Sequence, residues 1–118
     1  MATIVHSRPA VMGNRTYMYL WETLTTTNTE GDWLETATLS DMTVQAVGSF
    51  TGTPTLTMQG SNDGTTAVTL TDPAAAAVTF TAAGGAQILE NYRYVRPSLS
   101  SGDGSTDIDV YLCAKGDQ

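Results

Sequence analysis

Residues 42–64, MTVQAVGSFTGTPTLTMQGSNDG, decide the fold of this chain. Apolar and polar residues alternate in two parts of the stretch, Met42–Phe50 and Pro54–Gly60. A period of two is typical of a β-strand with one buried face. We therefore expect two strands whose inward side chains are Met42, Val44, Ala46, Phe50, Leu56 and Met58.

Two turns punctuate this stretch. Gly52-Thr53-Pro54 separates the two strands, and we expect it to join them as a short hairpin. Ser61-Asn62-Asp63-Gly64 turns the chain again, because Asn, Asp and Gly are the residues that accept a positive φ. We therefore expect the strands that follow this stretch to join the same sheets.

Similar patterns continue through the rest of the chain. Short strands separated by turn residues, about eight in all at a spacing of roughly 8–12 residues, are typical of a sandwich or barrel. We predict an all-β fold, an antiparallel, jelly-roll-like β-sandwich. Its further strands are expected at 17–27, 33–39, 66–70, 78–81, 92–100 and 106–114, with a single helical turn around Gln87–Glu90.

Two strands carry finer expectations. In the strand at 17–27, we expect one face to hold Tyr17, Tyr19 and Trp21 and the other to hold Met18, Leu20 and Leu24. Pro97 lies inside the strand at 92–100, and because proline cannot donate to a ladder it indicates a sheet edge or a bulge.

The first residues show neither a strand nor a helix period. We divide the chain into an extended N-terminal arm at 1–16 and a sandwich domain at 17–118. The arm is too apolar for a solvated tail, so we expect it to pack on its own domain or on a neighbour. Its candidate contact residues are Ile4, Val5, Arg8, Val11 and Met12.

The charge and composition of the chain disfavour some classes of partner. The 118 residues carry a net charge of -7, which disfavours nucleic acid and an anionic membrane surface as partners. The single cysteine, Cys113, cannot form a disulfide within the chain. We find no signal peptide and no apolar run near the about 20 residues of a membrane-spanning helix. We expect synthesis and folding in a reducing cytoplasm.

No set of residues points to catalysis, a cofactor or a metal. His6 is the only histidine, so a nucleophile and base pair would have to use it, and a surface or interface imidazole is the simpler interpretation. Asp103, Asp107 and Asp109, with Asp63 nearby, offer oxygen ligands for Ca²⁺, but their spacing does not match an EF-hand loop. The simpler interpretation is that Asp103 belongs to a turn and that Asp107 and Asp109 lie on a solvated strand face.

The aromatic residues and two arginines are the candidate contact residues of the domain. Tyr17, Tyr19, Trp21, Trp33, Tyr92 and Tyr94 either fill the core or form an exposed platform that binds a sugar or a protein. Arg93 and Arg96 flank Tyr94. They either form buried salt bridges with Glu90 or Asp72 or contact an acidic neighbouring subunit.

From Val44 to Lys115 the chain resembles small structural proteins of tailed bacteriophages. The resemblance is carried by GSFTGTPTLTMQGSNDGTTAVTLTDP at 48–73 and VTFTAAGGAQILENYRYVRPSLSSGDGSTDIDVYLCAK at 78–115. It implies a virion component encoded with the head genes, a capsid decoration or cement protein that is not an enzyme.

That resemblance also implies the partners and the location. The major capsid protein and further copies of this chain, as a trimer or dimer, are the expected partners, and the exterior of the capsid is the expected location after synthesis in the host bacterial cytoplasm. The expected contact residues are Ile4, Val5, Arg8, Val11, Met12, Tyr17, Trp21, Trp33, Arg93 and Arg96.

The alternative is a carbohydrate- or host-surface-binding module of a phage tail or fibre. The Gly60–Gly64 turn resembles the one in discoidin-type carbohydrate-binding domains. A tryptophan usually follows that turn there, whereas Thr65, Thr66 and Ala67 follow it here.

Overall fold

Alternating burial along the strands confirms the predicted inward faces. In the computed structural model, which describes the backbone of residues 3–12 and 16–116 and the side chains of 3–7 and 16–116, Met42, Val44 and Ala46 are buried. The residues between them are exposed. Leu56 and Met58 are also fully buried. Phe50 is half-buried and packs against the core.

The chain forms an antiparallel β-sandwich, as predicted, although it has more strand segments than the eight expected. These segments are β1 (Thr3–Ile4), β2 (Ser7–Met12), β3 (Thr16–Leu24), β4 (Glu30–Gly31), β5 (Leu34–Glu35), β6 (Leu39–Ser49), β7 (Thr55–Ser61), β8 (Val68–Thr69), β9 (Thr79–Phe80), β10 (Gly84–Gln87), β11 (Tyr94–Ser100) and β12 (Asp107–Gly116).

Two sheets share these strands. One has seven strands in the order β1-β4-β11-β7-β8, with β5 beside β11 and β9 beside β7. The other has five in the order β10-β6-β12-β3-β2. All pairings are antiparallel except that of β1 with β4. The inner faces of both sheets meet in one core, whose largest fully buried side chains include Trp21, Leu24, Met42, Leu56, Met58, Leu70, Ile108 and Leu112.

The predicted hairpin at Gly52-Thr53-Pro54 is wrong. β6 pairs with β10 and β12 in the five-stranded sheet, whereas β7 pairs with β8, β9 and β11 in the other. The turn, in which Gly52 and Thr53 both have positive φ, therefore carries the chain from one sheet to the other. Alternation shows which face of a strand is buried, but a buried face fits either sheet of a sandwich.

A β-bulge moves Leu24 to the face opposite the predicted one. Ile108 of β12 pairs with Leu24 and Val110 pairs with Trp21, so β3 has one residue more than β12 between these pairs. The extra residue lies at Thr23, whose φ is 65° and whose N–H donates to the Asp109 carboxylate at 2.8 Å. As a result Trp21 and Leu24 both point into the core.

Pro97 lies in an internal strand, so the predicted sheet edge is wrong. β11 has β7 on one side, where Pro97 is in register with Met58, and β4 and β5 on the other. On that second side the paired residues are Tyr94 and Val95 with β5 and Ser98 with β4, so Pro97 falls between the two short segments. An internal strand thus accommodates the missing N–H.

The helical turn predicted around Gln87–Glu90 is also wrong. Gly84–Gln87 is strand β10, and residues 88–90 are irregular, with Ile88 N–H donating to the Met42 carbonyl at 3.0 Å. Pairing with β6 decides the conformation here, because the segment is too short for helical periodicity to compete.

The segment predicted as an arm contributes a strand to each sheet. β1 pairs with β4, and β2 lies at the edge of the five-stranded sheet beside β3. Ile4 is half-buried and packs against the core. The division of the chain at residue 16 stays a prediction, as does any contact of these residues with a neighbour.

Candidate functional site

Arg96 is the centre of a contact network on the outer face of the seven-stranded sheet. It alternates along β11 with the buried residues Val95 and Pro97, and its side chain points outward. Its Nε donates to Gln59 Oε1 at 2.9 Å, and its Nη2 lies 3.3 Å from Glu30 Oε2. The guanidinium is therefore held in place by its own sheet.

Aromatic rings extend this network along the surface. The guanidinium carbon of Arg96 lies 4.3 Å from the centre of the Trp33 ring, and the Trp33 and Tyr94 ring centres are 6.5 Å apart. The guanidinium carbon of Arg93 lies 5.0 Å from the Tyr94 ring centre. The distances of 4.3 Å for Arg96 and 5.0 Å for Arg93 are those of cation–π contacts. We call Trp33, Arg93, Tyr94 and Arg96 the aromatic–arginine surface.

The two arginines differ in how firmly they are held. The Arg96–Glu30 pair is mostly covered, with side-chain exposures of 18% and 30%, whereas Arg93 and Glu35, 3.7 Å apart, are 55% and 63% exposed. The predicted salt bridges with Glu90 or Asp72 are wrong. Glu90 instead accepts hydrogen bonds from Thr71. The observed partners of the two arginines, Glu30 and Glu35, lie in β4 and β5. These strands are far from Arg93 and Arg96 in the sequence, so the sequence alone does not reveal the pairs.

Polar side chains cover the outer face of β7 and β11 next to Arg96. Hydroxyl and amide side chains fill it in register, because Gln59, Thr57 and Thr55 of β7 pair with Arg96, Ser98 and Ser100 of β11. Such a face offers donors and acceptors beside the aromatic rings.

His6 and Asp32 form a second polar site, between the first strands and the core. Asp32 Oδ1 accepts from the His6 N–H at 3.0 Å and from the Trp21 indole Nε1–H at 3.0 Å, and it lies 2.8 Å from His6 Nδ1. The imidazole also contacts the edges of the Tyr19 and Trp21 rings. These bonds anchor residue 6 to the core, so the histidine has a structural role.

Asp63 closes the turn between β7 and β8. The backbone N–H groups of Thr66 and Thr65 and the Ser61 hydroxyl all donate to its carboxylate, at 2.8 Å each. Hydrogen bonds to the ionised form hold the pKa of Asp63 far below its usual range. The Asp63 carboxylate therefore stabilises the turn through hydrogen bonds within it.

Asp103 has the same role in the turn before β12. Its carboxylate accepts from the Thr51 hydroxyl at 2.7 Å and the Ser105 N–H at 2.9 Å, and the Thr51 bond is the main cause that lowers the pKa of Asp103. Across the described ranges we find no group of three or more His, Cys, Asp or Glu side chains placed to hold a metal ion.

A groove of about 590 Å³ crosses the outer face of the five-stranded sheet. Its lining includes Met18, Thr43, Gln45, Tyr111 and Cys113. Cys113 is a half-buried free thiol. A lone thiol with no base beside it in this lining does not form a catalytic site.

The predicted contact residues do not lie together. Trp33, Arg93 and Arg96 form one surface, which sequence reasoning grouped only in part. Trp21 is fully buried, and a side chain without exposed area cannot contact a partner. Tyr17 and Ile4 pack on the core, whereas Val5 is 73% exposed. The side chains of Arg8, Val11 and Met12 lie outside the described residues.

Comparison with known protein families, curated proteins and solved structures finds no match to this chain. Among residues 3–12 and 16–116 there is no helix long and apolar enough to cross a membrane.

Proposed function

We propose that this protein is a non-enzymatic decoration protein of a tailed-bacteriophage capsid. It binds the outer surface of the head where capsomers meet and stabilises the shell. The resemblance of residues 44–115 to small virion proteins supports the part of the proposal that places the protein in a phage particle. The observation that carries the proposal of a binding role is the aromatic–arginine surface.

This surface has the composition of a protein-binding hot spot. Trp, Tyr and Arg dominate the binding energy of interfaces when they pack in a pre-ordered cluster. Arg96 is already fixed by Gln59 and Glu30, so little further conformational entropy is lost when a partner binds. The partner is the major capsid protein, and repetition over many copies raises the avidity of a modest contact.

Charge supports a protein partner over DNA. The chain has a net charge of -7, and the arginines of this surface are paired with Glu30 and Glu35. A surface that binds phosphates needs unpaired cations. A decoration protein on the capsid exterior gains from this balance, because it does not bind nucleic acid non-specifically.

Binding to empty shells tests the proposal. Purified protein is mixed with shells of the major capsid protein of the phage that encodes this chain, and co-sedimentation measures occupancy. We expect Trp33→Ala and Arg96→Ala to reduce occupancy strongly at limiting concentration. Tyr111→Ala and Lys115→Ala, an aromatic and a cation outside this surface, are the controls and should bind as the parent protein does.

Electron microscopy of the virion gives the decisive outcome. The proposal requires density for this protein on the outer surface of the head, with Trp33 and Arg96 at the contact. Absence of the protein from the outer shell of purified particles overturns the proposal. Full occupancy of empty shells by a double variant with Trp33→Ala and Arg96→Ala also overturns it.

The second candidate function is carbohydrate or host-surface binding by a tail or fibre module. The row of Thr55, Thr57, Ser98 and Ser100, which continues along β7 and β11 from the Gln59–Arg96 pair, favours it, because sugars stack on aromatic rings such as Trp33 and bond to hydroxyl and amide groups. A glycan array distinguishes the two functions. A specific signal that Trp33→Ala removes and Tyr111→Ala retains would support the carbohydrate-binding function.

A further inference from the structure

Strand β10 forms an open edge of the five-stranded sheet. Gly84–Gln87 pairs with β6 on one side, and no described strand pairs with it on the other. The opposite edge of this sheet is β2, which contains Pro9. Proline is a common means of blocking an edge against pairing. β10 contains neither proline nor a charged residue.

The register shows which backbone groups of β10 point away from its sheet. Ile88 N–H donates to the Met42 carbonyl at 3.0 Å, and Ala86 is in register with Val44 two residues earlier. Hydrogen-bonded and non-hydrogen-bonded pairs alternate in an antiparallel ladder. Ala86 therefore bonds to β6, while the N–H and C=O groups of Gly85 and Gln87 point outward. Both residues are exposed.

We propose that this edge binds the same edge of a second copy of the chain. The outward groups at Gly85 and Gln87 are placed symmetrically about Ala86. In an antiparallel arrangement, Gly85 of each copy exchanges both backbone hydrogen bonds with Gln87 of the other, and a two-fold axis passes between the two Ala86 residues. The edge is thus self-complementary, as a two-fold interface requires.

The flanking side chains fit this arrangement. The Leu89 N–H already donates to the Thr71 carbonyl of its own chain at 2.8 Å, so the backbone pairing between copies ends at Gln87. In an antiparallel pair the end of one strand lies against the start of the other, so only the side chain of Leu89 faces Ala82 and Ala83 of the second copy. Leu89 is 55% exposed, and both alanines are exposed. The contact buries apolar surface on each side of the axis. No charged residue of β10 opposes a like charge.

The dimer is independent of the proposed function. It concerns how copies associate, whereas the aromatic–arginine surface lies on the other sheet, so either conclusion can fail alone. A strand of four residues gives a small interface. We therefore expect association that depends on protein concentration, with the two five-stranded sheets joined into one.

Sedimentation equilibrium of the full chain tests the inference. We expect a monomer–dimer equilibrium. Gln87→Pro removes an outward N–H that β6 does not use, and it should raise the dissociation constant at least about tenfold, since the symmetric dimer loses a hydrogen bond on each side of the axis. Gln87→Ala keeps the backbone N–H, so as the matched control it should dimerise as the parent does.

Cross-linking places the axis. The Cα atoms of a non-hydrogen-bonded antiparallel pair are about 4.5 Å apart, which a disulfide spans. In a Cys113→Ser background, Ala86→Cys should form a disulfide-linked dimer with oxidised glutathione. Ser105→Cys, on an exposed turn in the same background, should cross-link much more slowly.

Three results would overturn the inference. These are a protein that stays monomeric up to millimolar concentration, a trimer, or a dimer whose dissociation constant Gln87→Pro leaves unchanged. If Gln87→Pro fails to fold, the cross-linking result decides alone. Equal rates for Ala86→Cys and Ser105→Cys would then reject the pairing.

Discussion

The guanidinium of Arg96 stacks on the ring of Trp33, with 4.3 Å between the guanidinium carbon and the ring centre. Arg96 is near the middle of β11, and Trp33 lies between β4 and β5, so the contact joins a long strand to the irregular segment beside it. The stack orders the one half-buried tryptophan of this face. It also fixes the distance between the cation and the aromatic ring that a partner would meet.

We predict that Arg96→Ala destabilises the fold more than Arg93→Ala. Arg96→Ala removes the stack on Trp33, the hydrogen bond to Gln59 and the mostly covered ion pair with Glu30. We expect the free energy of unfolding to fall by about 1 kcal/mol. Arg93 and its partner Glu35 are more than half exposed, so its loss should cost less than about 0.5 kcal/mol. Urea unfolding of both variants measures the difference, and equal costs would contradict the prediction.

Arg96→Lys separates charge from geometry. A lysine keeps the attraction to Glu30 but cannot lay a planar, forked group over Trp33 while donating to Gln59. We expect the emission of Trp33 to change in this variant as it does in Arg96→Ala. The emission of Trp21, which is fully buried in the core, should stay constant. A Trp33→Phe background identifies which ring reports the change.

Asp32→Ala should loosen the first strands. The carboxylate bonds to the His6 backbone, approaches its ring and accepts from the Trp21 indole, so its removal leaves a buried N–H with only the weaker 3.2 Å contact to the Asp32 carbonyl. We expect a loss of about 1–3 kcal/mol in unfolding free energy. Cleavage within residues 1–12 by a protease should become faster. Asp107→Ala, on an exposed position of β12, is the control and should change neither measurement.

Stability should fall in acid partly through Asp63 and Asp103. Hydrogen bonds lower the pKa of both carboxyls in the folded state, so the folded protein binds fewer protons than the unfolded chain near the ordinary pKa. Their contribution is present above about pH 5, where the unfolded carboxyls are also ionised, and it is lost as the pH falls through the folded pKa. Glu90 acts in the same direction. Burial raises its pKa, but the hydrogen bonds from Thr71 outweigh this and lower it.

Asp63→Asn isolates one of these groups. The amide oxygen still accepts from the Thr65 and Thr66 N–H groups but does not titrate. We expect lower stability than the parent at neutral pH and a smaller loss between about pH 5 and pH 3. Urea midpoints across that range measure the slope. A parallel pH profile for parent and variant would show that Asp63 does not contribute.

Much of the core was predictable because burial follows the two-residue period. The inward positions of β6 and β7 needed only local sequence. Pairing was not predictable, because the same apolar face fits either sheet, and the chain crosses between sheets at Gly52-Thr53 instead of folding back. Leu24 was misplaced for a related reason, since the bulge at Thr23 shifts the period by one residue.

The candidate site was predictable only in part. Arg93, Tyr94 and Arg96 are neighbours in sequence, and their proximity was evident. Trp33 joins them because β5 pairs with β11, and Asp32 meets His6 because β1 pairs with β4. Both pairings involve strands of two residues, which carry no periodicity to detect.

Gly48→Ala should be among the most destabilising single-methyl additions in this chain. Gly48 has a φ of 119°, and a Cβ there would lie 2.2 Å from the Asp107 carbonyl oxygen of the neighbouring strand. Neither the backbone of β6 nor that of β12 can move away without breaking their ladder, so we expect a loss of about 2 kcal/mol or more. Gly104→Ala is the matched control, because a Cβ at that turn meets nothing within 4 Å. It should be neutral, or stabilising by about 0.5 kcal/mol through the lower entropy of the unfolded chain. Thermal unfolding of the two variants measures the contrast, and a Gly48→Ala protein as stable as Gly104→Ala would refute the close approach of β6 and β12 at this position.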